Sequence, residues 1–206
     1  MQSLDIAQLI AFAAVLGFAS GIRLYAVLLI VGLIGYAGWV DLPSGLSILQ
    51  HPFVLIASLV MFVVEFFADK VPGVDSAWDA VQTFIRIPAG AALAAGVFGG
   101  LDSAMWTTVA AILGGSLAAT SHFTKAGTRA AANTSPEPFS NVALSLAEDL
   151  AVGGLLWLVV TYPLVAAAIV AVLVMIALWL LPKLFRFVAR MVRAVSGRRE
   201  SPSSPR

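Results

Sequence analysis

The chain has 206 residues, of which 60% are hydrophobic and only 11% charged, with a formal net charge of +1. A soluble domain is about 45–50% apolar, and a mean hydropathy of +0.97 marks more apolar surface than an aqueous fold can hide, so lipid must solvate most of it. The absence of cysteine excludes a disulfide framework, a thiolate metal site and a cysteine nucleophile together.

The first residues, Met-Gln-Ser-Leu-Asp, place no base ahead of the first apolar run, and no convincing cleavage site follows it. That run reads as retained structure and not as a signal peptide. Apolar segments recur at 6–19, 24–40, 53–68, 87–100, 104–120, 142–160 and 164–181. They lack the period of two that barrel strands need, so the expected fold is all-α, a polytopic membrane helical bundle of about six to seven spans over residues 1–181. Segments 6–19 and 87–100 fall short of the roughly 17–25 residues of a span. Each either borrows flanking residues or is a re-entrant half-helix supported by its neighbours. The backbone is expected to be irregular near Ser20-Gly21 and near Pro88-Ala89-Gly90. The small residues of 89–96 and 114–116 read as close helix packing.

Charge placement orients the bundle. Residues 1–182 carry 5 bases and 10 acids, whereas residues 183–206 carry 7 bases and 1 acid. With that basic tail in the cytoplasm, the seven-segment count puts Arg23, Lys70, Arg86, Lys125 and Arg129 on the cytoplasmic side, and only Asp5, Asp41, His51 and Asp102 opposite. The expected topology has an outside N-terminus and a cytoplasmic C-terminus. Trp39, Phe53, Trp106, Trp157 and Tyr162 fall toward the outer ends of their segments, where they serve as interfacial anchors or pack between helices. Residues 53–100 and 104–160 share a plan of apolar helix, polar inner loop and small-residue helix, a faint parallel repeat. Residues 182–196, with Arg186, Arg190 and Arg193 at helical spacing, read as a basic amphipathic helix on anionic lipid headgroups, at about 1 kcal/mol per base. Residues 197–206 are Ser- and Pro-rich and read as disordered. Topology signalling accounts for these bases, and no nucleic-acid partner is expected.

The chemistry-bearing residues lie between the apolar runs. Pro72-Gly73 reads as a turn, after which Asp75 and Asp79, four apart, share a helical face. Two such carboxylates suit a hard cation or proton transfer; the alternative is a solvated helix start favoured by the dipole and Lys70. Glu148 and Asp149 lie about 10–13 Å inside their apolar helix, where an ionised acid costs several kcal/mol unless paired, hydrated or protonated. Their candidate partners are Arg23, Arg86, Lys125 and Arg129. Arg23, at the meeting of two apolar segments, either needs a carboxylate such as Glu65 or Glu148 or snorkels at a helix end. Ser135, Ser140 and Asn141 look like N-caps around the second polar loop. His51 and His122 stand beside no nucleophile or ligand motif, and no phosphate loop or dinucleotide fingerprint occurs, so neither an enzyme nor a cofactor is expected.

The runs Ser20–Tyr25, Glu65–Asp79 and Thr124–Arg129, with Ser135–Pro138 and Glu148-Asp149, resemble a bacterial membrane-protein family catalogued only as a domain of unknown function. The resemblance covers most of residues 5–180 and implies a multi-span inner-membrane protein without naming an activity. The expected function is a small-solute or ion transporter whose polar site opens to the cytoplasm and is lined by Arg23, Glu65, Asp69, Lys70, Asp75, Asp79, Arg86, Lys125, Arg129, Glu148 and Asp149. The competing expectation is a non-transporting scaffold whose charges form closed ion pairs, with an intramembrane enzyme a third. Either way, Glu65, Asp69 and Lys70 should lie near Arg23, Lys125 or the Glu148 helix.

Overall fold

The computed structural model describes residues 5–101, 103–134 and 138–197. Among these, six α-helices and one 3-10 helix run in the order α1 (Ile6–Tyr36), the 3-10 helix (Ser44–Gln50), α2 (Pro52–Ala68), α3 (Val74–Val97), α4 (Ala104–Ala132), α5 (Pro138–Thr161) and α6 (Pro163–Gly197), with no strand. Five helices (α1, α3, α4, α5 and α6) are long and apolar enough to cross a membrane; the 3-10 helix and α2, bent by 69° at their junction, raise the count to six. The chain is an all-helical, multi-pass membrane protein.

Local chemistry sets the helix ends. Asp5 and Gln8 form a reciprocal capping box at the start of α1. His51 Nδ1 accepts the Phe53 N–H at the start of α2, with Pro52 in the first helical position, where its missing N–H costs nothing. Between α2 and α3 the expected turn is present: Gly73 has φ +85°, a conformation that needs glycine, and its N–H donates to Asp75 Oδ1 at 2.8 Å. Ser140 and Asn141 do not cap α5, because the helix already begins at Pro138; Ser135 and the tail from 198 lie outside the described residues.

Helix α1 is the core and touches every other helix. Its backbone breaks at Arg23 (φ −143°, ψ 75°), in the region where irregularity is expected. The contacts of its two limbs show that the chain turns back there. Ile10, in the first limb, shares a cavity with Phe98 and Trp106, while a side chain at Gly32, in the second, would strike Leu49 and Leu55. Gly45, just ahead of Leu49, abuts Gly96 and Gly99 at the end of α3. Both limbs therefore start or finish at one end of the bundle, and Arg23 is the apex of the bend, part-way along the bundle. Segments 6–19 and 24–40 are the limbs of one bent helix. Segment 87–100 borrows its flank and becomes the latter half of α3, which continues through Pro88 without a break. One proline deprives the Phe84 carbonyl of its helical donor, and the surrounding packing holds the helix together.

That packing is by small residues. A Cβ on Gly17 would lie 2.6 Å from Gly114 Cα; one on Gly90 would lie 2.5 Å from Ala118 Cβ; and Gly21 lies against Ala118 and Ser121. The first limb of α1 thus runs parallel to α4 with α3 alongside, all three backbones in close approach. Helix α6 continues through Pro182, and its Leu184, Phe185 and Val188 line an apolar groove with Phe123, Gly127 and Ala130 of α4. Replacing Gly114 by Leu should overpack the α1–α3–α4 junction and destabilise the fold by about 1–3 kcal/mol, read as a lower melting temperature in detergent; an unchanged melt would mean that this junction is loose.

Candidate functional site

Four helices and the bend of α1 send a polar stripe to the same end of the bundle. On α3, Asp75, Asp79, Gln82 and Arg86 step along one face; on α4, His122, Lys125, Arg129 and Asn133 do so; on α5, Asn141, Ser145 and Glu148 do. The end of α2 adds Glu65, Asp69 and Lys70. Counted from the far helix ends, the inner part of the column falls within the length of a hydrocarbon core of about 30 Å. At 1.5 Å per residue Arg86 lies about 17 Å from the far end of α3, near mid-depth, and Glu148 about 20 Å from the far end of α5. Asp75, a further 17 Å or so along α3 from Arg86, marks the column's outer end.

At the apex, Arg23 is fully buried, and its Nη1 lies 2.8 Å from Asp69 Oδ2. Its Nε is 3.0 Å from Asp149 Oδ1 and 3.6 Å from Glu148 Oε2. Its Nη2 donates to the Ser145 hydroxyl and carbonyl at 2.7 and 3.1 Å. Lys125 Nζ donates to Asp69 Oδ2 at 2.6 Å and to the Ile22 carbonyl at 3.1 Å, so that α4 holds the broken turn of α1 directly. Arg129 grips Glu148 with two nitrogens, at 2.8 and 3.3 Å, and donates to the Asp69 and Asn141 carbonyls. Burial pushes the Asp69 carboxyl up, but Lys125, Arg23 and Arg129 outweigh it and hold Asp69 below the usual carboxylate range.

Deeper in the column, Arg86 pairs with Glu65 and, at 2.9 Å, with Asp79. Arg86 Nη1 also contacts His122 Nδ1 at 3.2 Å, and because a guanidinium can only donate, Nδ1 is the unprotonated nitrogen. His122 Nε2 then carries the hydrogen toward Thr83 Oγ1 at 2.7 Å, and the Thr83 hydroxyl donates to the Asp79 carbonyl. The imidazole is neutral. Gln82 donates to the Tyr25 hydroxyl at 3.2 Å. At the outer end, Asn133 donates to both Asp75 oxygens, at 2.8 and 3.0 Å, and accepts from Asn141 at 2.6 Å.

Residues 10–183 match the family described as "Domain of unknown function (DUF4126)". The chain belongs to this family. The matched segment contains the whole charged column and ends where the basic part of α6 begins. No curated protein and no solved structure matches the chain.

All eleven residues singled out from the sequence lie in or beside this column. Asp69 meets Arg23 and Lys125, and Lys70 meets Ser145 of α5, as anticipated. Two assignments change. Glu65 serves Arg86 and not Arg23, because it lies four residues, about one turn, before Asp69 and therefore deeper. Arg23 does not snorkel; the bend buries its whole side chain among acids. Asp75 and Asp79 share the expected face but take different partners, amides for one and Arg86 for the other. Gln82, Thr83, Asn133 and Ser145 were not singled out, His122 was set aside for want of a motif and Asn141 was read only as a cap; for all but Asn141, a spacing of three to four from the charged residues was the available signal.

Removing one partner of a buried pair strands the other charge, which costs about 3–5 kcal/mol. Arg86→Met should therefore destabilise the protein by that order, and adding Glu65→Gln to it should recover part of the loss. Paired thermal melts decide this; full additivity of the two substitutions would mean that the side chains do not act as a pair.

Proposed function

We propose that the chain is a small permease-like transporter of a bacterial inner membrane, moving a small solute or ion through a polar site that opens to the cytoplasm. The observation that carries this reading is a charged column running from one bundle end to mid-depth and meeting a broken helix at Arg23, with the buried acceptors Glu65 Oε2, Asp69 Oδ1 and Asp79 Oδ2 unpaired. Ionisable residues at such depth and helices interrupted beside them are the features transporters use to bind cargo. A lock that served stability alone would be better closed, since each unpaired buried acceptor costs about 1–3 kcal/mol. A cytoplasmic position of the charged end is supported by Lys183, Arg186, Arg190 and Arg193, which project from α6 just past it and carry the positive-inside bias. These bases meet anionic headgroups, with Lys183 over the Trp179 ring at the interface. No catalysis and no nucleic-acid binding is part of the reading.

A second reading, a non-transporting scaffold, is favoured by one observation: Arg23, Arg86, Lys125 and Arg129 are all buried and all ion-paired. Flux separates the two. In proteoliposomes carrying a pH or alkali-ion dye, the wild type should move ions above protein-free vesicles, and Glu148→Gln with Asp149→Asn should cut that flux by tenfold or more. Vesicles indistinguishable from protein-free controls under proton, sodium and potassium gradients would sink transport of those ions and favour the scaffold. Orientation has its own check in a chain without cysteine: Thr134→Cys should be hidden from an impermeant maleimide in intact cells and Ser44→Cys labelled, the reverse pattern placing the charged end outside.

A further inference from the structure

The ion pairs of the column do not balance. The network joined by contacts within 4.0 Å contains the acids Glu65, Asp69, Asp79, Glu148 and Asp149 and the bases Arg23, Arg86, Lys125 and Arg129. With all of these ionised, one negative charge is left over. His122 is held neutral by Arg86 and supplies nothing, while Asp75 is satisfied separately by amides.

Lys70 makes up the difference without joining the network. It lies at the loop between α2 and α3, half-buried. Its ammonium donates to two neutral oxygens, the Phe66 carbonyl at 3.0 Å and Ser145 Oγ at 3.2 Å, and stands over the Phe66 ring. No carboxylate lies within ion-pair distance of it among the described residues. Ser145 Oγ is shared with Arg23, so Lys70 sits one hydrogen bond from the apex. The charged groups around it are Asp69 beside it in the loop, Arg23 of α1, Arg129 of α4 and Asp149 of α5; burial and the two arginines disfavour its charge, and the two aspartates support it. On the adjacent residue, Asp69 Oδ1 is fully buried and takes no hydrogen bond.

We propose that Lys70 is a tethered stand-in for a small monovalent cation, alkali metal or ammonium, which neutralises the column when the lysine side chain swings toward its outer end. This deepens the transport reading by naming the class of its cargo, and rests on that reading only for the movement of the ion, not for its binding. The geometry has the parts such an exchange needs. The ammonium is held by neutral oxygens and a ring face, not locked to a carboxylate, and lies where a long flexible stem reaches water. The same oxygens, Phe66 O and Ser145 Oγ, with Asp69 Oδ1 on the adjacent residue, are hard ligands of the kind alkali ions take. A primary ammonium fits by the same hydrogen bonds as Lys70, whereas a quaternary ammonium has no hydrogen to donate.

The test is the melting temperature of the purified full chain in detergent, at constant ionic strength, in choline chloride against sodium, potassium and ammonium chloride. Wild type and Lys70→Arg should melt alike in all four salts. Lys70→Gln should be less stable in choline and regain stability saturably with a small cation, by about 3–6 °C at ten times Kd; which salt works identifies the ion, and recovery on mild acidification alone makes it a proton. Asp149→Asn in the Lys70→Gln background removes the surplus acid and should abolish both the loss and the salt response. Equal response to choline and sodium, a Lys70→Gln melt unchanged in choline, or failure of both Lys70→Gln proteins to fold in every salt would overturn the proposal. Saturable cation binding without flux in vesicles would retain the site and discard transport.

Discussion

The fold depends on the coordination of Arg23. A polypeptide that enters the bilayer as a helix and turns back within it leaves backbone groups open and, here, brings a permanent cation with it. Lys125 closes the first problem by donating to the Ile22 carbonyl, and Asp69, Asp149 and Ser145 close the second. These partners come from α4, the α2–α3 loop and α5, so satisfying one residue fixes the relative positions of most of the bundle. Helix α1 can then act as an axis, with apolar surface on nearly every side for its neighbours to cover.

The molecule divides into two halves that are stabilised differently. In the far half, glycine and alanine let α1, α3 and α4 approach until backbone meets backbone, and stability comes from dispersion contacts. In the charged half, buried ions carry a desolvation cost that their mutual attraction roughly offsets, so the pairs specify geometry more than they add stability. The boundary lies near Gly21 and Arg86, where the Arg86 guanidinium reaches back toward the Gly21 carbonyl at 3.5 Å. A function that needs rearrangement is more easily built into the second half, where contacts are directional and can be exchanged one for another.

Much of this was legible in the sequence. Composition gave the membrane, the distribution of Lys and Arg gathered the polar segments at one end, and the break beside Ser20-Gly21 was visible as polar residues between two apolar runs. Glu148 and Asp149 announced partners by being too expensive to leave alone. Less was legible where hydropathy and helicity part company. The helix start after Gly73 was legible, but not its continuation through Arg86 and Pro88 into segment 87–100 as one helix, because hydropathy divides what helix propensity, which does not require apolar side chains, leaves continuous. Pro88 looked like a break, but one missing hydrogen bond is affordable in a packed helix. His122 and Gln82 were passed over because neither belongs to a motif; their meaning lies in their register with charges on other helices, which one chain's spacing shows only once the stripes are aligned.

The asymmetry of the column has an electrical consequence. In an energised membrane the voltage falls mainly across whatever has the lowest permittivity, and here that is the half lined by glycine, alanine and aliphatic side chains beyond Arg86. Any charge that passes that level crosses most of the field in a short distance, and a full elementary charge exchanges about 2.3 kcal/mol with each 100 mV. Reorganisation nearer the Asp75 end, among charges and polar groups, crosses less of that field.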